Sequence, residues 1–588
     1  MSTRNTVADL LADGRRWLSR RDFKRYVLGS IVLTVVFLVI FPLVFLLWTS
    51  VWTGSPGEFQ ASLTLENYRK AYLTDLFDVS TLLYNSLTVA GVMTLVGAGF
   101  GLLFAWLLVR TNLPTKGEIE MILLSGQAVP GYIYAFMYMQ AYNSETGTVS
   151  LLLEDLIGVG IPIHFATPWG AGFIVGISVI PTFYLLVVPA LQDLDPMLEE
   201  VSRVSGASAA KTFRKVTLPL IKPALLSGAI VTLLYGLMEY SVVAMLAGRG
   251  QFHVYSTRIH NALRQQVFSP WGEISALVAS IIPFMLVLVW YYRSVTRRKE
   301  SYMTLSGQTG TIKTRELGRW RWPVATCLWV VLFVVWILPV LLMTLISLQG
   351  SWSGSINLAE FTLSHYVTAI TDSGIRDAFF NSVYVAVGGA TLGTVLVVGA
   401  TYYTERTNGR FRGAVDFLMM TPLAVPGIIM GSALLFTALW LENIFPMVKL
   451  YGTLGIIIIG CVTVFLPIAS RLAIGNIIQI HTELEEAGRV AGASWFQEMR
   501  EIFLPLFRNT SIIIWFFLAI HIFQLLSIPA MTYTVDSVVI PIKLVRWYLY
   551  RPNLQLLSAV STLFVFMTML LIVALRYAGV TFYELENR

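Results

Sequence analysis

Residues 199–219, EEVSRVSGASAAKTFRKVTLP, and residues 485–505, EEAGRVAGASWFQEMREIFLP, align without a gap, and 10 of the 21 positions are identical. Both stretches are hydrophilic, and each lies between long apolar runs. The same pattern of glutamate, arginine, Gly-Ala-Ser and Leu-Pro therefore recurs at one place in two apolar halves of the chain. Such self-similarity at a fixed offset indicates a duplicated architecture with two matching polar segments.

Composition predicts the class of protein around these segments. Of the 588 residues, 56% are hydrophobic and only 13% are charged, whereas soluble domains carry about 25% charged residues. This balance indicates a polytopic all-α membrane protein. Cys327 and Cys461 both lie inside apolar runs, which excludes a disulfide framework and favours a packing role.

The apolar runs predict about twelve membrane-spanning helices, because a helix needs about 20 apolar residues to cross a bilayer. The predicted spans are 27–50, 83–109, 118–140, 168–192, 219–246, 273–295, 323–347, 380–403, 413–438, 450–475, 509–531 and 555–580. With both termini inside, 31 of the 41 Lys and Arg residues fall on the cytoplasmic side. The positive-inside rule therefore predicts an N-in, C-in topology.

The duplication extends beyond the polar segments. Residues 63–68 (LTLENY), Asn85-Ser86 and 128–131 (AVPG) are echoed in the same order at 361–366, Asn381-Ser382 and 424–427. Six crossings in each half make the repeats parallel, related by a pseudo-two-fold axis along the membrane normal. The predicted divisions are a cytoplasmic segment 1–26, a first six-helix half 27–295, a cytoplasmic linker 296–322 and a second half 323–588.

The polar segments have helix-start and turn signals of their own. Asp195 before Pro196 predicts an N-cap, and Thr482 with Glu485 predicts a capping box. An apolar stripe follows in each helix, of the kind that docks on a partner. Gly206 and Gly492 predict sharp turns.

On these residues the chain resembles the permeases of binding-protein-dependent ABC importers, in which Glu-Ala-Ala, then Gly, then Leu-Pro form a coupling helix. The chain departs from that pattern at Val201-Ser202 and at Gly488. The resemblance implies docking of two ATP-binding subunits, and the implied docking residues are Glu199, Glu200, Arg203, Gly206, Ala207, Pro219, Glu485, Glu486, Ala487, Arg489, Gly492, Ala493 and Pro505. No Gly-Lys pair occurs, so the chain has no Walker A loop; ATP and Mg²⁺ are expected only in the partner subunits.

The fusion of two permease halves resembles ferric-iron importer permeases and, less closely, thiamine importer permeases. The resemblance implies an extracytoplasmic solute-binding protein as partner, a prokaryotic plasma (inner) membrane location and no catalysis by this chain. Thiamine, phosphonate or another small solute remains an alternative, as does an ion-coupled secondary transporter. A membrane enzyme is disfavoured because no acid-base, nucleophile or metal constellation stands out, and the basic net charge requires no nucleic-acid partner.

Candidate path residues are polar groups or helix breaks inside the apolar runs. Such groups are tolerated in lipid where protein or water satisfies them. Packing kinks, structural hydrogen bonds and aromatic anchors explain the same residues, and His521 has no second ligand at metal-binding spacing, so no metal site is predicted. The candidates are Gln127, Pro130, Tyr132, Tyr134, Glu239, Pro426, His521 and Gln524.

Overall fold

The computed structural model of the protein describes residues 21–54, 62–74, 77–264, 270–300, 315–352, 354, 356–550 and 553–577. Most of the predicted amino-terminal segment and of the predicted linker lies outside these ranges. The described chain is helical, and it is an all-α polytopic membrane protein.

Helices of the first half alternate between long apolar spans and short connecting pieces. A π-turn, Phe213–Thr217, joins two of them. The helices are α1 (Arg21–Ser50), α2 (Glu66–Leu73), α3 (Val79–Arg110), α4 (Lys116–Ser125), α5 (Gly131–Tyr142), α6 (Thr148–Ile157), α7 (Pro168–Gln192), α8 (Pro196–Val204), α9 (Ala209–Thr212), α10 (Leu218–Leu237), α11 (Ser241–Gly250), α12 (Tyr255–Arg264) and α13 (Trp271–Glu300).

The second half repeats this order, with π-turns at Phe333–Ile337 and Glu498–Phe503. Its helices are α14 (Arg321–Leu332), α15 (Leu338–Ser347), α16 (Ser364–Thr371), α17 (Ser373–Arg406), α18 (Arg412–Met420), α19 (Gly427–Ile444), α20 (Leu454–Ile477), α21 (Glu483–Val490), α22 (Trp495–Gln497), α23 (Leu504–Leu506), α24 (Arg508–Gln524), α25 (Ser527–Thr532), α26 (Ile540–Tyr550) and α27 (Leu554–Tyr577).

The number of continuous spans differs from the prediction of twelve. Within the described ranges, ten helices are long and apolar enough to cross a membrane, and an eleventh results if the pair bent by 71° at Phe507 counts as one. The predicted span 118–140 is instead divided, because α4 ends at Ser125 and α5 begins only at Gly131. The predicted spans 219–246 and 509–531 are likewise interrupted, after Leu237 and after Gln524. Hydropathy alone does not detect these breaks.

Matching hydrogen bonds show why the repeated Asn-Ser pair recurs. The Nδ2 atom of Asn85 donates to the carbonyl of His253 at 2.8 Å, and that of Asn381 donates to the carbonyl of Val538 at 3.0 Å. The hydroxyls of the following serines accept from the backbone N–H groups of Tyr255 and Ile540. In both halves the pair thus fixes the segment before α12 or α26 to the second long helix.

The first helix of each half packs on the other half. Phe41 and Phe45 of α1 lie 5.6 and 5.5 Å from the ring of Trp440 in α19. In return, the hydroxyl of Tyr138 in α5 donates at 2.9 Å to the carbonyl of Val335, within the π-turn between α14 and α15. A π-turn leaves carbonyls without their usual helical partner, and this tyrosine satisfies one of them. The two halves therefore interlock.

Close packing of α3 on α7 depends on glycines spaced four apart on each helix, Gly97 and Gly101 on α3 and Gly172 and Gly176 on α7. A Cβ at Gly172 would lie 2.9 Å from the carbonyl oxygen of Val89. Small residues at this spacing let membrane helices approach closely, and packing is then their main source of association.

We expect Gly172→Ala to destabilise the protein by about 1–3 kcal/mol, because the new methyl group meets backbone that cannot move aside. Gly99→Ala is the matched control on α3, since nothing lies within 4 Å of its Cβ position. That control should be neutral or gain up to about 1 kcal/mol from helix propensity. Thermal unfolding in detergent measures both, and equal melting temperatures would contradict the packing argument.

Candidate functional site

The two repeated polar segments adopt the same backbone path. We call residues 195–219 the first coupling segment and residues 481–505 the second coupling segment. In each, a short helix (α8 or α21) is followed, two residues after its end, by a glycine with positive φ. The φ is 81° at Gly206 and 87° at Gly492. A π-turn and a Leu-Pro pair follow. A side chain at this φ is strained, which explains the glycine in both copies.

The starts of the two short helices differ. Asp195 caps α8, its Oδ1 accepting from the backbone N–H of Met197 at 2.8 Å. The capping box predicted for Thr482 and Glu485 is wrong. Thr482 makes no side-chain cap, because its backbone is helical (φ −64°, ψ −25°) and not extended as an N-cap requires. The carboxylate of Glu485 faces Arg406 at 3.6 Å. A capping box forms further along, between Ser494 and Gln497.

Two arginines that the sequence analysis missed attach the coupling segments to the membrane helices. At the end of α3, Arg110 NH2 donates to the carbonyls of Leu191 and Leu194 at 2.6 and 2.9 Å. At the end of α17, Arg406 NH2 donates to the carbonyls of Ile477 and Ile480 at 2.6 and 2.5 Å. Each arginine therefore satisfies carbonyls at the carboxyl end of the helix that enters its coupling segment, where helices leave such groups unpaired. The signal was an Arg-Thr-Asn triplet at 110–112, repeated at 406–408.

The equivalent glutamates Glu199 and Glu485 both face inward. Glu199 Oε1 accepts from the hydroxyl of Thr217 at 2.5 Å. Glu485 has a side chain only 3% exposed and pairs with Arg406 and, at 3.4 Å, with Arg489. Burial raises the pKa of the Glu485 carboxyl, and the guanidinium of Arg406 lowers it. Both glutamates bond within their own segment or to the adjoining helix; Glu485 is buried, whereas Glu199 is half-buried.

The second coupling segment contains an ionic network centred on Arg489. Arg489 binds both carboxylate oxygens of the buried Glu498, at 2.8 and 2.9 Å, whereas the equivalent of Glu498 in the first segment is Thr212, which bonds to Ser202 at 3.0 Å. The ring of Phe23 lies 6.0 Å from that of Trp495, so the start of α1 also contacts the second segment. The two segments are alike in path but not in internal bonding.

The remaining predicted docking residues lie at the surface of these segments. Glu200, Arg203, Pro219, Glu486, Ala487, Arg489, Gly492 and Pro505 are exposed, and Ala207 and Ala493 are half-buried. Beside them are exposed apolar side chains at the ends of α8 and α21. Val204 is 85% exposed and Val490 is 89% exposed. Each segment thus presents an apolar tip ringed by polar groups, the pattern of a surface for a partner.

Both predicted helix breaks are present, and the first is closed by the other half. Helices α5 and α19 begin just after Pro130 and Pro426. Gln524 Nε2 donates to the carbonyls of Gln127 and Ala128, each at 3.3 Å, and the hydroxyl of Thr568 donates to Ala128 at 2.6 Å. Backbone freed by the break is therefore satisfied by protein, as a membrane interior requires.

The other predicted path residues have identifiable structural contacts. Tyr134 donates to the carbonyl of Gly126 at 2.8 Å, and the ring of Tyr132 lies 6.4 Å from that of Phe564. Glu239 Oε1 accepts from the N–H of Val242 at 3.0 Å and so caps α11, which explains an acid at the break after α10.

His521 is half-buried in the bundle. Its Nδ1 lies 2.8 Å from the carbonyl oxygen of Phe517, and its ring packs on Phe465 and Phe517. These contacts match the alternatives of packing and structural hydrogen bonding that the sequence left open.

A cavity of about 990 Å³ opens between α11 and α12 of the first half and α25 and α26 of the second. It includes none of the eight predicted path residues. Several of its lining positions form pairs separated by 286 residues, the same offset as the coupling segments: Tyr240 and Leu526, Ala244 and Ala530, and Ala247 and Tyr533. A cavity lined by both members of equivalent pairs straddles the pseudo-two-fold axis. We call it the axial cavity.

Two interlocked halves, paired polar segments and an axial cavity define a membrane permease built on an internal repeat. Comparison with known proteins gives the family. Residues 26–301 match the family described as binding-protein-dependent transport system inner membrane component. Residues 26–301 therefore belong to this permease family, the second half repeats their polar segment and helix break, and the chain is a multi-pass membrane protein.

Individual relatives align with one or both halves. The probable ABC transporter permease protein y4fN of Sinorhizobium fredii is 23% identical over 79% of this chain and 82% of its own length. The Fe(3+)-transport system permease protein FbpB 2 of Haemophilus influenzae is 22% identical over 73% of this chain and 76% of its own length. The molybdenum transport system permease protein ModB of Escherichia coli is 27% identical over 35% of this chain and 86% of its own length. Coverage of the first two extends over both halves.

Proposed function

We propose that the chain forms the translocation path of an ATP-driven importer and that α8 and α21 dock on two ATP-binding subunits. The observation that carries this proposal is the paired geometry of the coupling segments, each with an exposed apolar tip at Val204 or Val490. ATP and Mg²⁺ would bind and react in the partner subunits, and a solute-binding protein would deliver the solute on the opposite side.

Arg110 and Arg406 provide the contacts through which movement of a coupling segment would reach the membrane helices. Each binds the carboxyl end of a membrane helix, α7 or α20, directly before a coupling segment. Movement of α8 or α21 by a closing ATPase would therefore pull α7 against α3, or α20 against α17. ATP binding drives the transport cycle only if it favours one of the two access states over the other.

For the solute we propose ferric iron, because relatives that align with both halves are named as ferric-iron permeases. An oxyanion is a second candidate, favoured by the similarity of one half to the molybdenum permease. Thiamine and phosphonate have no such support among the relatives described above.

Co-expression with candidate ATP-binding subunits and a solute-binding protein tests the importer proposal. We expect the purified chain to retain two ATP-binding subunits and, in proteoliposomes, to accumulate ⁵⁵Fe only with ATP and the binding protein. Omission of ATP is the internal control. Failure to capture any ATPase would contradict the docking role, whereas capture with uptake of molybdate but not iron would replace the proposed solute.

A further inference from the structure

The axial cavity carries positive charge from both halves of the protein. Arg264 of α12 and Arg546 of α26 line it, together with Tyr240, Tyr451, Tyr533 and His260. Among its described lining residues there is no aspartate or glutamate. The charge of the two guanidinium groups is therefore not balanced within the wall.

The partners of Arg264 are neutral. Its NH2 donates to the carbonyl of Tyr533 at 2.7 Å, its NH1 lies 3.5 Å from the hydroxyl of Tyr451, and its guanidinium stacks 4.4 Å from the Tyr533 ring. These bonds join α12 of the first half to two segments of the second half and hold the charge at the cavity wall. Arginine held in this way is suited to binding carboxylate or oxyanion groups through paired hydrogen bonds.

Arg546 is exposed and, within the described chain, forms no ion pair. An adjoining cavity of about 710 Å³ shares this residue and contains Asp377 and Asp536, but Lys543 lies there as well. Lys543 pairs with Asp372 at 3.6 Å. Neither Asp377 nor Asp536 forms an ion pair with Arg546 within the described chain.

The histidines of the axial cavity are neutral near neutral pH, so they neither balance nor add to the positive charge of its wall. Burial lowers the pKa of His260 to about 4, so its ring is neutral. Burial also lowers the pKa of His253, with a further contribution from Arg258. Neutral imidazole and tyrosine hydroxyls can donate hydrogen bonds to an anion, whereas a trivalent cation would be repelled by the two guanidinium groups.

We propose that the axial cavity is a binding site for the solute as an anion with oxygen donors, and that iron passes it inside an anionic oxygen chelate and not as a bare ferric ion. This rests on the proposed function for the identity of the solute. The chemistry is shared by two sources, a ferric chelate such as ferric citrate and a free oxyanion such as molybdate. Arg546, exposed at the cavity, is the residue expected to contact either one.

Phenylglyoxal labelling of the full-length chain in lipid nanodiscs tests the site without any partner subunit. The labelling rate of Arg546 is read by mass spectrometry with ferric citrate, citrate, molybdate or hexaamminecobalt(III), an inert trivalent cation. We expect at least one anion to slow labelling about tenfold, as charge-assisted hydrogen bonds would, and hexaamminecobalt(III) to have no effect. Arg376, exposed and outside both cavities, should be modified at one rate throughout.

The pattern of protection distinguishes the sources and can overturn the proposal. Protection by ferric citrate but not citrate or molybdate identifies the iron chelate, and protection by molybdate identifies the oxyanion. Protection by none of the anions, protection by the cation, or equal protection of Arg376 would each overturn it. Because the measurement needs no ATPase, such a failure would leave the importer proposal standing, and loss of ATPase capture would leave this site standing.

A charge-reversal series gives a second, functional measurement. In proteoliposomes that contain the complete importer, Arg546→Glu should lower solute uptake about tenfold or more, Arg546→Lys should retain most of it, and Arg376→Glu should match the wild type. Retained ATPase co-purification shows that the variants are assembled. Unchanged uptake with Arg546→Glu would contradict an anion site at this position.

Discussion

Glutamate at both Val204 and Val490 should abolish capture of the ATP-binding subunits while the permease remains folded. Each valine is at least 85% exposed, at the end of α8 or α21, so the substitutions should change the free energy of unfolding by less than about 0.5 kcal/mol. A charge forced into an apolar docking pocket costs far more. Central apolar contacts of this kind are worth about 2 kcal/mol or more each, so the double variant should bind about a thousandfold more weakly.

Quantitative co-purification and stimulated ATP hydrolysis measure this effect. Met447→Glu is the matched control, because Met447 is 98% exposed in the loop between α19 and α20, on the opposite side by the predicted topology. Val204→Leu with Val490→Leu should keep binding, since the tips stay apolar. Full ATPase capture by the double glutamate variant would place the docking surface elsewhere on the protein.

The two coupling segments differ in their internal bonding. The second coupling segment contains the Arg489–Glu498 pair and contacts Phe23 of α1, whereas the first contains the neutral Thr212–Ser202 contact. A stiffer segment transmits the motion of a bound ATPase with less internal deformation. We therefore interpret the second segment as the more rigid of the two, although both present the same apolar tip.

Much of this architecture could be predicted because its sequence pattern occurs twice in the chain. The repeated glycines predicted the turns at Gly206 and Gly492. The repeated Asn-Ser pair indicated only the duplication, and the bonds of Asn85 and Asn381 show its structural role. The roles of Arg110 and Arg406 were missed, although their Arg-Thr-Asn triplet is also repeated. An arginine at the end of an apolar run is typical of any membrane boundary and does not by itself indicate a further role. Only the fold shows which carbonyls it binds.

The errors have physical causes that a linear pattern does not contain. Thr482 and Glu485 have the spacing of a capping box, but the Thr482 backbone is helical and the Glu485 carboxylate faces the buried Arg406 at 3.6 Å. In the apolar run 118–140 the break at Pro130 was predicted, but the sequence did not show that a 3₁₀ turn precedes it and that α4 already ends at Ser125. The freed backbone is satisfied by Gln524 and Thr568 from the other half, which are remote in sequence.

Arg406→Ala should destabilise the second half by about 3–5 kcal/mol, because removing one partner of a buried ion pair leaves an uncompensated charge. The Arg406 and Glu485 side chains are only 5% and 3% exposed. The carbonyls of Ile477 and Ile480 would also lose their donor. Thermal unfolding in detergent is the measurement, and Arg406→Met combined with Glu485→Gln should restore most of the loss, since it removes charge from both sides of the pair.

The loss should also depend on pH in a defined direction. Burial already raises the pKa of Glu485, and removing the Arg406 guanidinium would raise it further. A carboxyl whose pKa is higher in the folded than in the unfolded state binds more protons when folded, so stability falls as pH rises above the unfolded value of about 4.3. The difference between Arg406→Ala and wild type should therefore be larger at pH 8 than at pH 5.5. A pH-independent difference, or a double variant no more stable than the single, would show that the backbone bonds of Arg406 matter and its charge does not.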